Sequence, residues 1–217
     1  LSKASFVPSG SLIREILGVG IPIAVQDAFI QISFLIITMI ANLRGVTDAA
    51  AVGIVEKIIS FLFLVPSSLL SAVSALSAQN LGADNRKRAR AYLYDAIKTA
   101  VFFGLSVSLL IQVMAPRFVG LFTSDEAVIA SGGPYDTIFA GIHFSFSGYF
   151  CAAKKSIYSF LHNLIAIVLV RIPFVYLASR AFSDSLFPMG LVTASGSLLS
   201  VLICCFLFRH LERERTE

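Results

Sequence analysis

Asp27, Glu56, Asp136, His143 and His162 fall inside long apolar stretches of this 217-residue chain. A charge at the centre of a bilayer costs at least about 2.5–3.5 kcal/mol, so such residues are by default candidates for binding a cation, a proton or a substrate. Asp136 lies about 27 Å along its stretch from Lys154 at the helical rise, in the outer part of a membrane. It is either a functional carboxylate or an N-cap or interfacial acid following Gly-Gly-Pro-Tyr. Asp27 lies about 25 Å in from Arg44, within the hydrocarbon. It is an ion or proton site, or it makes a structural hydrogen bond to another helix. Pro22 leaves a carbonyl without its helical donor about four residues earlier, too far away to be an obvious partner for Asp27. Glu56 and Lys57 are neighbours on a helix and point in different directions, so each needs a partner from elsewhere.

The remaining polar residues read as structural. Asp95 and Lys98 are three apart on one helical face and can pair. Arg171 is about 24 Å from Lys155, near enough to the outer surface to snorkel. His143 and His162 have the chemistry of proton relays, although single membrane histidines also serve as hydrogen bonds between helices. The chain has 19 Phe, 6 Tyr and no Trp; a phenylalanine-rich wall can hold organic cations, and lipid-facing packing accounts for Phe as well. Cys151, Cys204 and Cys205 read as reduced packing residues, and no spaced Cys/His set for a metal is present. A serine protease needs a serine and a histidine from two helices, whereas Ser147 and His143 share one. No phosphate-binding Gly-rich loop occurs. Neither an enzyme nor a metal protein is expected.

These residues need helices that cross a membrane. The chain is 57% hydrophobic and 14% charged, against about 45–50% and 25% in soluble domains. At about 20 apolar residues per crossing, six spans are predicted, near residues 18–43, 49–78, 91–114, 134–153, 157–177 and 187–208. Pro66 lies mid-way in the second, and Pro116 is expected to end the third. Ser11–Leu17 is an amphipathic lead-in that can lie in the interface. Of the 17 cationic residues, Lys3, Arg14, Arg86, Lys87, Arg88, Arg90, Lys154, Lys155, Arg209, Arg213 and Arg215 occupy every second gap. Only Arg44, Arg117 and Arg180 occupy the others. Cationic loops stay in the cytoplasm, so both termini are expected inside. The net charge of +4 suits anionic lipid and requires no nucleic acid. The serine- and alanine-rich run Ser67–Ala78 and the run Gly190–Ser200 mark either close helix packing or the wall of a polar cavity. The start at Leu1, without a signal peptide, suggests a piece of a longer protein.

Two longer patterns name a family. One runs from Gly20-Ile-Pro-Ile-Ala-Val-Gln26 through Ala51-Val-Gly-Ile-Val-Glu-Lys57 to Ala78-Gln-Asn-Leu-Gly-Ala83 and Arg88-Ala-Arg90. The other runs from Gly148-Tyr-Phe150 through Val170-Arg-Ile-Pro173 to Leu186-Phe-Pro-Met-Gly-Leu191. In order and spacing they resemble the MATE family, the multidrug and toxic compound extrusion transporters, and specifically the C-terminal lobe, helices seven to twelve.

The resemblance implies an all-α membrane protein with one six-helix lobe over residues 1–217. Its implied function is efflux of small organic, often cationic, compounds by alternating access, driven by H⁺ or Na⁺ and needing no other cofactor. The implied partner is a second lobe, or a second copy of this chain, within the bilayer of the cell membrane. Asp136 stands twelve residues before Gly148, where NorM-like members carry an aspartate on helix ten. Gln26, Asp27, Glu56 and Lys57 are further candidates for cation, proton or substrate binding, while the Arg171 motif implies a lobe-stabilising role. Two departures stand out. Ile30 occupies the position of the NorM-like glutamate, which puts that form of cation site in doubt. The family's Gly-Tyr-Phe-Asn-Gly-x-Gly-Lys reads Gly148-Tyr-Phe-Cys-Ala-Ala-Lys-Lys155, which predicts a divergent turn. A flippase for a lipid-linked or oligosaccharide substrate, and a half-length remnant that transports nothing, are the alternative functions.

Overall fold

A computed structural model describes residues 9–119, 133–183 and 185–214, and these residues are helical apart from short turns. Helix α1, Gly10–Asn42, runs through Pro22. At 1.5 Å per residue it is about 50 Å long, more than a hydrocarbon core requires. The amphipathic lead-in Ser11–Leu17 is the first part of α1, continuous with the span that follows.

The second expected span is two helices, α2, Val46–Leu62, and α3, Leu64–Gly82. They are separated by a single residue, Phe63. Pro66 offers no N–H to the Leu62 carbonyl and its ring crowds that group, so the break falls just before it. Bonds from Phe63 N to Ile59 O at 2.9 Å and from Ser67 N to Phe63 O at 3.0 Å keep the halves in register. Helix α4, Arg86–Val119, passes through Pro116 instead of stopping there, because losing one backbone bond in its last residues does not unwind it. Most of the expected outer gap at 115–133 lies outside the described residues.

Helices α5, Gly133–Ala152, and α6, Ser156–Ala166, follow. A π turn, Ile167–Arg171, joins α6 to α7, Ile172–Ala181, and α8 is Phe187–Glu214. Among the described residues five segments are long and apolar enough to cross a membrane: 10–42, 48–82, 86–111, 156–181 and 187–214. Helix α5 is not among them, and its position explains why. It packs on α3, α4, α6 and α8, and the run His143–Cys151 is buried throughout. Surrounded by protein, it tolerates Thr137, Ser145 and Ser147 where a lipid-facing helix would carry leucine.

Close approach around α5 depends on glycine. A Cβ on Gly148 would lie 2.5 Å from the Leu70 carbonyl oxygen of α3, and one on Gly141 would lie 2.6 Å from Ala100 Cβ of α4. Val73, Leu93, Tyr149, Phe150 and Leu211 fill one core around this contact. Of the two small-residue runs, that of α8 turns its small residues inward, through Ala194, Gly196, Ser197 and Ser200. On α3, Ser77 is buried and donates to Ala89 O, while Ser67, Ser68, Ser71, Ala72, Ala75 and Ala78 stay exposed.

At one end of the bundle the helix ends gather by charge. Lys154 bonds Glu15, Lys155 lies 3.7 Å from Glu214, and Arg90 lies 3.1 Å from Glu212. These contacts place the start of α1, the start of α4, the α5–α6 turn and the end of α8 together. At the opposite end Arg44 donates to Asp48 at 2.7 Å and to the carbonyls of Ser179, Phe182 and Ser183 at 2.7–3.2 Å. A cation is favourable there, at the C-terminus of α7. The α5–α6 turn is a Schellman motif: Lys155 N bonds Phe150 O at 2.8 Å and Lys154 N bonds Cys151 O at 3.0 Å. Lys154 has φ +59°. It occupies a glycine position of the family pattern, so the expected divergence is one of residue type at a left-handed turn.

Candidate functional site

The sequence periodicity of α6 would turn Arg171 away from the lobe. Buried Ser156, Ser159, Asn163 and Ala166 keep a spacing of three and four, which extrapolates to positions 170 and 174. The π turn absorbs one extra residue, and the buried face continues instead at Arg171, Val175 and Ala178. Pro173, which can supply no helical donor, lies just beyond it and favours this irregularity. Arg171 is thus 6% exposed and does not snorkel as expected. Its guanidinium lies over the Phe34 ring, 4.6 Å from the centroid.

Asp136 is brought to the same place from the first turn of α5. It is 1% exposed and accepts a hydrogen bond from Ser197 Oγ of α8. Glu56 arrives from α2, where it accepts a 2.6 Å hydrogen bond from Thr38 of α1. Asp136, Glu56, Arg171, Phe34 and Thr193 line one cavity of about 60 Å³. Arg171 interacts electrostatically with both carboxylates. Asp136 Oδ2, Arg171 Nε and Arg171 Nη2 have no hydrogen-bond partner among the described residues, so the cavity is bordered by unsatisfied groups of both signs. Such groups cost free energy unless something in the cavity satisfies them.

The other candidates divide. Lys57 is exposed, turned away from Glu56 as neighbours on a helix must be. Gln26 is fully buried on α1 with neither amide atom bonded, and it lines neither the cavity nor the groove of Asp27. Asp27 is exposed and stays apart from Asp136. It lies in an open groove of about 240 Å³ with Gln31, Ser60 and Ser67. Ile30, Phe63 and Phe144 form the groove's apolar floor and also wall a small inner cavity bearing His143 and Arg171. Phe34, Phe63 and Phe144 meet edge to face, with centroids 6.4 and 5.9 Å apart.

His162 acts as an interhelical bond, whereas buried His143 has an unbonded Nδ1 among the described residues. His162 Nε2 lies 2.9 Å from Ser147 Oγ of α5, and Nδ1 lies 3.3 Å from Ser200 Oγ of α8. A serine–histidine pair from two helices therefore exists, which sequence alone did not reveal. Both members are 0% exposed, so no substrate reaches them. Lys98 pairs with Asp95 at 2.9 Å as expected, and the three cysteines are free. Among the described residues no cluster suited to a metal is present.

A bundle of long apolar helices with a buried acid–arginine pair of charges defines a polytopic membrane protein. The sequence profile of the MatE family matches residues 22–177, and the chain belongs to that family. It is a multi-pass membrane chain of a transporter family and not an enzyme. The "Probable multidrug resistance protein YpnP" of Bacillus subtilis is 26% identical over 170 residues, covering 76% of this chain and 38% of that protein. A "Probable multidrug resistance protein NorM" of Acinetobacter baylyi is 30% identical over 118 residues, covering 54% of this chain and 26% of that protein. A crystal structure of MATE in the straight conformation superposes with a TM-score of 0.90 at 16% identity, over all of this chain and 50% of that one. The chain thus spans half of that transporter structure and about a quarter to two fifths of these curated relatives.

Proposed function

We propose that the chain is the C-terminal lobe of a multidrug efflux antiporter that expels small organic cations by alternating access against an inward H⁺ or Na⁺ gradient. In this reading it crosses the membrane six times with both ends in the cytoplasm. A second lobe, or a second copy of the chain, supplies the opposite wall of the substrate path. The observation that carries the reading is the buried Asp136 carboxylate, beside a cavity large enough for water or a monatomic cation, in a member of a transporter family. A carboxylate at that depth must be neutralised by a proton, a cation or a basic partner, and it responds to whichever gradient supplies one. Asp27 in its groove is the candidate for substrate contact. Its neighbours Gln31, Ser60 and Phe63 include no cation, which favours an organic cation over the anionic headgroup a flippase would carry.

The test is efflux by the full-length protein in liposomes, with its oligomer size measured, under imposed H⁺ and Na⁺ gradients. Asp136→Asn keeps size and hydrogen bonding and is expected to abolish the gradient dependence. Asp27→Asn is expected to weaken transport of cationic substrates. Unchanged transport and unchanged pH and Na⁺ dependence in both variants would place coupling outside this lobe.

A further inference from the structure

Arg171 is unusual among the buried groups because it faces two carboxylates and is locked to neither. The charges lining the cavity are Asp136 from α5, Glu56 from α2 and Arg171 from the π turn. Helix α1 contributes Phe34 and Ile37 to it, and α8 contributes Met189 and Thr193, none of them charged. His143 adjoins Arg171 only across the second cavity, with Asn163 and Ser197. With both acids ionised the cluster sums to one negative charge, so one added positive charge balances it and a second does not. Asp136 and Arg171 are buried and Glu56 is half-buried, and an uncompensated charge away from water is costly.

No hydrogen bond among the described residues fixes the guanidinium at Nε or Nη2. It is held mainly by the face of Phe34, and cation–π attraction constrains direction less than a bidentate ion pair does. Its backbone lies in a π turn, an irregular element frequent at functional sites. Glu56 accepts a hydrogen bond from Thr38, which leaves its second oxygen available.

We propose that Arg171 is a tethered counter-ion shared between Asp136 and Glu56 that shifts towards Glu56 when a monovalent cation or a proton loads Asp136. Loading then admits one positive charge per cycle, and Arg171 competes with it for the same carboxylate. Drawing Arg171 towards Glu56 ties α2 to the α6–α7 segment, so occupancy of the site alters the contact between them. This rests on the reading of Asp136 as the coupling acid and extends it to two residues that act through it: Arg171 as the competitor and Glu56 as its alternative partner.

The experiment is binding to the purified full-length protein, measured as ²²Na⁺ uptake at fixed pH and as proton uptake without Na⁺. A neighbouring unit charge changes the affinity of a carboxylate by about ten- to a thousandfold. Arg171→Met removes the competitor, so affinity for the loading ion is expected to rise at least about tenfold while efflux stops. Glu56→Gln retains an acceptor for Thr38 but removes one negative charge, so affinity is expected to fall at least about tenfold. Arg171→Lys keeps the charge and is expected to stay near the wild-type affinity, which separates charge from shape if Arg171→Met folds poorly. The arm that responds, Na⁺ or proton, identifies the loading ion. If Asp136→Asn leaves binding intact, the coupling reading itself fails. If Asp136→Asn abolishes binding but Arg171→Met does not tighten it, or Glu56→Gln does not weaken it, the counter-ion proposal alone is overturned.

Discussion

Replacing Gly148 with alanine tests whether the seating of α5 against α3 holds the site together. The added Cβ would meet the Leu70 carbonyl oxygen at 2.5 Å and Val73 Cβ at 3.0 Å. A close carbon–oxygen contact between helices is about 3.3–3.6 Å, so the backbones would have to separate by roughly 0.8–1.1 Å. A gap of about 0.5–1 Å forfeits a quarter to a half of each dispersion contact along the seam, and overpacking of this kind typically costs about 1–3 kcal/mol. Alanine also gains about 0.8–1.0 kcal/mol over glycine in a helix, which would mask part of the loss. Gly20→Ala on α1 is the matched control, because a Cβ there has nothing within 4 Å. The gap between the two variants isolates the clash. Thermal unfolding of each purified variant in detergent should place Gly148→Ala below Gly20→Ala by at least about 2 °C. Because α5 also carries Asp136 and Ser147, ion-driven efflux by Gly148→Ala should fall, while that of Gly20→Ala should not. Equal melting temperatures, or a higher one for Gly148→Ala, would refute the seating.

Three other outcomes are expected. Lys154→Gly should raise stability by roughly 0.5–1 kcal/mol in thermal melts, because a non-glycine left-handed residue costs about 1–2 kcal/mol and the exposed Glu15 pair it gives up is worth about 0–1 kcal/mol. Arg44→Met should cost about 2–3 kcal/mol, since three carbonyls and Asp48 lose a charged donor, and Arg44→Lys should recover little of it without the planar fork. In a background without the native cysteines, a membrane-impermeant thiol reagent applied to intact cells should label Ser183→Cys and spare Asn85→Cys; the opposite pattern would invert the proposed orientation.

The membrane environment, the helical class and the family were legible in the sequence because each rests on pattern. Apolar runs of about 20 residues, alternating loop charge and spaced motifs survive without any knowledge of contacts. The same reasoning placed Asp136 inside an apolar stretch, put Asp95 beside Lys98 and gave His162 an interhelical role, although not His143. It did not show what Asp136 faces, because its partners Ser197, Arg171 and Glu56 lie 61, 35 and 80 positions away in the chain.

The fate of Arg171 shows most clearly what tertiary structure decided. Counting residues along an ideal helix puts its side chain near the surface, where a long cationic side chain can reach water. One extra residue in a π turn rotates it into the core, and nothing in local propensity announces that turn apart from Pro173. Packing also decided that α5 could be polar, because protein and not lipid surrounds it. It decided too that the small-residue face of α3 would stay open while that of α8 closed. Periodicity reveals that a helix has two faces, but only the neighbouring helices determine which face meets protein.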